Sequence, residues 1–182
     1  MEHRFDAAAI ARELRRVRQI RQYRPDHVPD EIVQELLEVA RWTGSSRNTQ
    51  PWHFIVLSDP EQRRRISDVR AAINWVAEAP LAIAIVLDGR SHLSEAYDEG
   101  RVTERLLDAA RFFGLGGGTA WFGDDGQQRA ARAILGVPEE RVARSVVALG
   151  YPVTSADPRP NPTEGGRRPL SDLVSRNTYG GS

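Results

Sequence analysis

The chain of 182 residues contains no cysteine, and its 25 basic residues are all arginine, with no lysine among them. Without thiols there is no disulfide framework, no thiolate nucleophile and no Cys-based metal or cluster site. Without lysine, every cation is a flat guanidinium suited to bidentate contact with phosphate or carboxylate. Long apolar runs are also missing. No stretch approaches the roughly 18 residues that a membrane span needs, and Arg4, Asp6, Arg12 and Glu13 interrupt the N-terminus. This predicts a soluble, unprocessed protein, and the absence of disulfides accords with a cytoplasmic one. Net charge is absent too, with 25 acidic residues against 25 basic. The overall field therefore gives no reason to expect nucleic acid or an anionic membrane as partner, and any anion site must be local. His3, His27, His53 and His92 show no paired ligand spacing and no His-Glu-x-x-His, so no metal centre is expected. Ser45 and Ser46 lack the Gly-x-Ser-x-Gly elbow of a hydrolase. The carboxylates fall mostly on helix faces, where a solvated role is expected. With no evident catalytic side chain, an enzyme of this composition needs a cofactor to carry its chemistry.

What is present reads as one domain, 1–182, long enough to bury roughly 70% of its unfolded surface. Phe5, Ala9, Ile10, Leu14 and Val17 recur at helical spacing. Six arginines follow between Arg12 and Arg24, ending where Pro25 forces its predecessor out of helical geometry. Such a cluster can be an arginine-rich nucleic-acid helix, a solvated face or a pocket for one phosphate, and composition alone leaves all three open. Pro29, Asp30 and Glu31 open a second helix to about Trp42, with Ile32, Val33, Leu36, Leu37 and Ala40 on its buried face. The stretch Thr43–Trp52 then packs a Gly-Ser-Ser turn, two carboxamides and a Pro-Trp pair between that helix and a strand at 53–58. A loop held between rigid elements is where binding groups are usually placed. An ordinary connection whose Ser and Asn residues satisfy their own backbone has the same composition.

Asp59-Pro60 opens a polar helix whose Arg63, Arg64 and Arg65 read as a wet face. Leu81–Leu87 is a continuous apolar run, the pattern of a strand buried on both sides. Residues 95–113 read as a long core helix with Gly100 near its start. The glycines of 114–118 follow that helix, whereas a dinucleotide fingerprint follows a strand and opens a helix. They are read as a helix stop and a place of close packing. Asp124 or Asp125 caps a helix through Leu135, and 142–149 is another buried strand. Four prolines in 152–162 predict an extended arm, ending in the apolar anchor Leu170, Leu173 and Val174. Such an anchor must dock on its own domain or on a second subunit.

Taken together, Arg18-x-x-Arg21-x-Tyr23, then Ser45-Ser46-Arg47-Asn48-Thr49-Gln50-Pro51-Trp52, Gly114-Leu115-Gly116 with Trp121-Phe122-Gly123, and Gly166-Arg167-Arg168-Pro169-Leu170 resemble the FMN-dependent nitroreductase family, in order and spacing from about Val17 to Tyr179. The resemblance implies an α+β fold with a mainly antiparallel central sheet flanked by helices. It also implies an intertwined homodimer with FMN in two interface sites and NAD(P)H as electron donor to a small-molecule acceptor. Carried over residue by residue, Arg18 and Gln19 fall where the family contacts the phosphate and ribityl chain, and Arg21 where a cation faces the flavin pyrimidine. Arg167 and Arg168 fall at the C-terminal phosphate contacts. Ser45, Ser46, Asn48 and Gln50 belong to the loop that one subunit extends toward the flavin of the other. Gly123 sits where a backbone N–H approaches flavin N5, and Asn74 matches an amide reading the pyrimidine edge.

The chain departs from the family pattern at three places. Val17-Arg18-Gln19-Ile20-Arg21 stands where Arg-Arg-Ser-x-Arg is usual, leaving Arg16 or Gln19 to replace the absent Arg and Ser. Gly44 replaces a proline before the serines, and the segment after Leu87 is short. The function expected from the resemblance is ping-pong reduction of nitroaromatics, quinones or related acceptors. The alternatives are a flavin-destroying or dehalogenating member of the same fold, or a flavin-free binding protein using its arginine-rich N-terminus.

Overall fold

The computed structural model describes residues 6–153 and 167–180. The proposed arm at 152–162 lies almost wholly outside them. Among the described residues, five α-helices and four strands follow one another: α1 (Ala7–Leu14), α2 (Asp30–Arg41), β1 (Trp52–Leu57), α3 (Pro60–Ser67), β2 (Leu81–Leu87), α4 (His92–Phe112), β3 (Gly116–Trp121), α5 (Asp125–Leu135) and β4 (Val142–Gly150). Short 3-10 turns occupy Ser46–Asn48, Ala71–Glu78 and Leu170–Asp172. None of these helices is long and apolar enough to cross a membrane.

The strands form one antiparallel sheet in the order β1-β2-β4-β3. This is the α+β arrangement that the resemblance implies. All seven residues of β2 are buried, and side-chain alternation divides them between two layers. Leu81, Ile83, Ile85 and Leu87 pack with α2 and α4 through Leu36, Val102, Leu106 and Ala110. Ala82, Ala84 and Val86 face the opposite layer with Ile66, Val76 and Ala131. Both faces are dry, so the sequence of β2 shows no apolar-polar alternation.

Several local readings change in three dimensions. The long helix begins at His92, so Gly100 lies in its interior. Arg63 is buried and its Nη1 donates to the Leu57 carbonyl at 3.1 Å, while Arg64 and Arg65 keep the wet face. The acids of α4 are not all solvated: Glu95, Asp98 and Glu99 are buried. Glu95 accepts from the N–H groups of Gly89, Arg90 and Ser91 and so closes the start of the helix. Glu99 meets Arg144 Nη1 at 3.3 Å and accepts from Ser145 Oγ at 2.6 Å. Consecutive residues of β4 reach one carboxylate because the register with β2 shifts between Ile85 and Val86, leaving Arg144 as the extra residue of a bulge.

The glycine run divides in two. Gly114, with φ +73°, ends α4, but Gly116–Gly118 lie in β3, an element that the helix-stop reading does not contain. Their neighbours explain why a strand is built from the least strand-prone residue. A Cβ on Gly116 would lie 2.8 Å from Ile20 Cγ1, one on Gly117 2.5 Å from Leu107 Cδ2, and one on Gly118 2.5 Å from the Ile20 carbonyl oxygen. Gly117→Ala should therefore cost about 1–3 kcal/mol by overpacking Leu107 and Leu149. Urea unfolding measures this directly, and an unchanged midpoint would contradict the packing described.

Candidate functional site

Residues 19–24 form a strap along β3 and the end of β4. Ile20 N–H donates to the Gly117 carbonyl at 2.8 Å, and Gln19 Oε1 accepts from Thr119 N–H at 2.7 Å. Further on, Arg24 N–H donates to the Tyr151 carbonyl at 2.8 Å. The Tyr23 hydroxyl lies 2.5 Å from the Ile20 carbonyl and 3.1 Å from that of Ala148, sharing one proton between them. The side-chain-free edge of β3 is what lets the strap lie this close.

The arginines in the strap and just before it are not equivalent. Arg16 pairs with Glu13 at 3.1 Å and Arg24 with Asp26 at 2.9 Å. Arg18 and Arg21 have no carboxylate partner among the described residues. Arg18 Nη1 turns onto the carbonyls of Arg15 and Val17 at 2.6 and 2.7 Å. Arg21 lies over the Trp75 ring, 5.4 Å from its centroid. Asn74, exposed, is the neighbour of Trp75. Uncompensated positive charge is thus concentrated beside the β3 edge of a neutral chain.

Beyond β3 the chain reaches Gly123 at φ +113°, a region that favours glycine. A Cβ there would lie 1.9 Å from Gln127 Oε1. Asp124 and Gln127 form a capping box that opens α5, and Arg70 stacks on Trp121 while donating to its carbonyl at 3.2 Å. A cavity of about 600 Å³ adjoins this turn, lined by His92, Trp121, Gly123, Asp124, Gln128 and Arg144 among others.

The loop before β1 sits at the other edge of the sheet. Three strand spacings, roughly 14 Å, separate the β1 and β3 edges. Arg47, Asn48 and Gln50 all have left-handed backbone, with φ of +53°, +56° and +47°. Ser45 Oγ accepts from Gln50 N–H at 2.8 Å, and Ser46 N–H donates to Asp98 Oδ2 at 3.3 Å. The side chains of Asn48 and Gln50 are exposed. A hollow of about 420 Å³ separates this loop from the start of α4.

One chain therefore brings Arg18, Gln19, Arg21, Asn74 and Gly123 to the β3 side, and Ser45, Ser46, Asn48 and Gln50 to the β1 side. Arg167 and Arg168 lie exposed in the C-terminal segment, with Arg168 Nη2 donating to the Asp172 carbonyl at 3.2 Å. Sequence reasoning missed Trp75, Asp98 and Arg101 as supports of these groups. Trp75 beside Asn74 carried a usable signal, an aromatic next to a polar candidate, whereas Asp98 is one acid among many.

A protein of Archaeoglobus fulgidus named NADH dehydrogenase/NAD(P)H nitroreductase is 35% identical over 149 residues, covering 77% of this chain and 83% of its own. The chain belongs to the nitroreductase family. The family model itself, described as the nitroreductase family, matches residues 14–90, from the strap through the loop to β2. An NADH dehydrogenase of Thermus thermophilus is 29% identical over 178 residues, covering 78% of this chain and 85% of its own. Among solved structures, an FMN-dependent nitroreductase of Clostridium difficile superposes with a TM-score of 0.76 at 25% identity, covering 91% of this chain and 98% of its own.

The strap of this nitroreductase-family chain has its own pH signature. Burial raises the Tyr23 phenol above its ordinary value, and the positive charge of Arg21 opposes the shift without cancelling it. A pKa raised on folding stabilises the protein fully below the unfolded value, about pH 10, and this contribution is lost as pH climbs toward the folded value. The chain has no lysine or cysteine whose titration would overlap the onset of this loss. Tyr23→Phe should cost about 1 kcal/mol at neutral pH and flatten the fall in stability above pH 10. Denaturant titrations at pH 8 and pH 11 test both effects, and an unaltered alkaline slope would contradict them.

Proposed function

We propose that this protein is a homodimeric FMN-dependent oxidoreductase that draws on NAD(P)H and reduces nitroaromatic, quinone or related small acceptors in a ping-pong cycle. The observation that carries this reading is the pair of uncompensated cations, Arg18 and Arg21, beside the β3 edge that leads to Gly123. That edge fits a flavin mononucleotide: a charged group for the phosphate, a stacked cation for the pyrimidine, and a turn that exposes backbone. The names of the Archaeoglobus and Clostridium relatives support the same donor and cofactor. A cytoplasmic location accords with the supply of NAD(P)H there.

FMN, when bound, supplies the centre that accepts and passes on a hydride. The chain's residues bind it, orient it and set its electrostatics. Arg18, with Arg167 and Arg168, would hold the phosphate through charge-assisted hydrogen bonds. Gln19 commits its Oε1 to Thr119 N–H, which leaves its Nε2 donors for the ribityl chain. Arg21, fixed over Trp75, would place positive charge at the pyrimidine end, where negative charge gathers on reduction. Asn74 would read the pyrimidine edge, and Gly123 would present its N–H near N5. Ser45, Ser46, Asn48 and Gln50 would come from the second subunit. No protein acid or base is required for hydride transfer.

Dimerisation draws support from apolar surface left open on one chain. Ile10 and Leu14 on α1 and Leu93 and Tyr97 on α4 are exposed. Leu170, Leu173 and Val174 of the C-terminal anchor are more than half exposed, so among the described residues most of the anchor is left uncovered.

The purified protein should be yellow or take up added FMN, and NADH or NADPH should bleach it without oxygen until an acceptor restores the colour. A colourless protein that ignores added FMN would contradict the proposal. Arg21→Ala should weaken FMN binding about tenfold or more, the worth of one charge-assisted contact, or lower the flavin potential. Fluorescence titration and potentiometry measure the two effects, and if neither moves, Arg21 lies outside the site.

A further inference from the structure

We infer that Asp98 and Arg101 of α4 are positioning residues that hold the loop at 44–50 in its strained conformation. The inference rests on the reading, given above, that this loop serves the flavin site. Three non-glycine residues out of four, Arg47, Asn48 and Gln50, have left-handed backbone. Such a backbone is strained for a non-glycine residue and persists only where its surroundings over-determine it.

Within the loop, Asn48 N–H donates to the Ser45 carbonyl and Thr49 N–H to that of Ser46, both at 3.1 Å, and Gln50 N–H reaches Ser45 Oγ. These bonds close the loop on itself but do not tie it to the body of the protein. Among the described residues, the hydrogen bond that joins 44–50 to another element is Ser46 N–H to Asp98 Oδ2. Asp98 is 2% exposed, so its carboxylate is a fixed acceptor rather than a solvated one. Arg101, one turn along α4, sets Nη1 3.5 Å from Asp98 Oδ1. Neighbouring Glu95 is already committed to three backbone N–H groups and cannot take over the role.

Arg101 also reaches toward Gly44, where the family usually has proline. A Cβ on Gly44 would lie 2.8 Å from Arg101 Nη2. The end of the guanidinium thus lies beside the start of the loop while Nη1 faces the Asp98 carboxylate. Proline stiffens such a segment covalently through its fixed φ. Here an ion pair on α4 supplies the restraint from outside the loop.

Hydrogen–deuterium exchange of the full-length protein tests this without reference to flavin. Asp98→Ala and Arg101→Ala should each speed exchange of the amides at 46–50 about tenfold while core amides keep their protection. Asp98→Asn should fall between wild type and Asp98→Ala, because an amide oxygen still accepts from Ser46 N–H while the ion pair with Arg101 is lost. If Asp98→Ala does not fold, Arg101→Ala still decides the matter, since its half-exposed side chain is not part of the core. Unchanged exchange in Arg101→Ala would overturn the clamp. FMN titration of the same variants separates the two readings: faster exchange with weaker FMN binding supports both. Faster exchange with unaltered FMN binding supports the clamp and removes the loop from the flavin site.

Discussion

The antiparallel pairing of β2 with β4 in the middle of the sheet constrains everything around it. Both strands are buried on both faces, so they cannot serve as edges, and β1 and β3 are left to border the sheet on opposite sides. Each edge strand brings its own flanking segment. The loop at 43–51 leads into β1, and the strap at 19–24 lies along β3. Two groups of polar residues with one proposed purpose are therefore held apart by the same pairing that makes the core.

Electrostatics on the β3 side follow from which charges were left without partners. The chain is neutral overall, and Arg16 and Arg24 are offset by nearby acids. Arg18 and Arg21 are not, and Arg21 is held by an aromatic face rather than by an opposite charge. A cation stacked on Trp75 keeps its full charge available to a ligand, whereas a carboxylate partner would have neutralised it. Tyr23 anchors the strap to β4 and thereby fixes where these guanidinium groups begin.

Much of this fold was legible because local pattern and tertiary role agree. The apolar run of β2, the periodic face of α2 and the Asp124 cap of α5 carry their structure in consecutive residues. Glycines 116–118 do not, because the reason for a strand there lies in Ile20, Leu107 and Leu149, which reach the site from distant parts of the chain. Arg63 looked like a surface residue because nothing local reveals that the Leu57 carbonyl will receive its guanidinium. The candidate site was legible through a family resemblance spanning four short motifs, each of which names a contact but not its support. Asp98 and Arg101 escaped notice because an acid and a base three apart on a helix most often form a solvated pair. Only the folded position of the loop gives them a task.

The central claim is that one flavin site needs the β3 edge of one chain and the β1 loop of another. Mixing two defective proteins tests it most directly: Arg21→Ala, altered on the β3 side, and Asn48→Ala, altered in the loop. After subunit exchange, each mixed dimer would contain one site with both lesions and one with neither, so about one quarter of all sites should regain tight FMN binding. The account predicts that recovery. If the mixture binds FMN no better than its two components, the site is complete within one chain and the account is wrong.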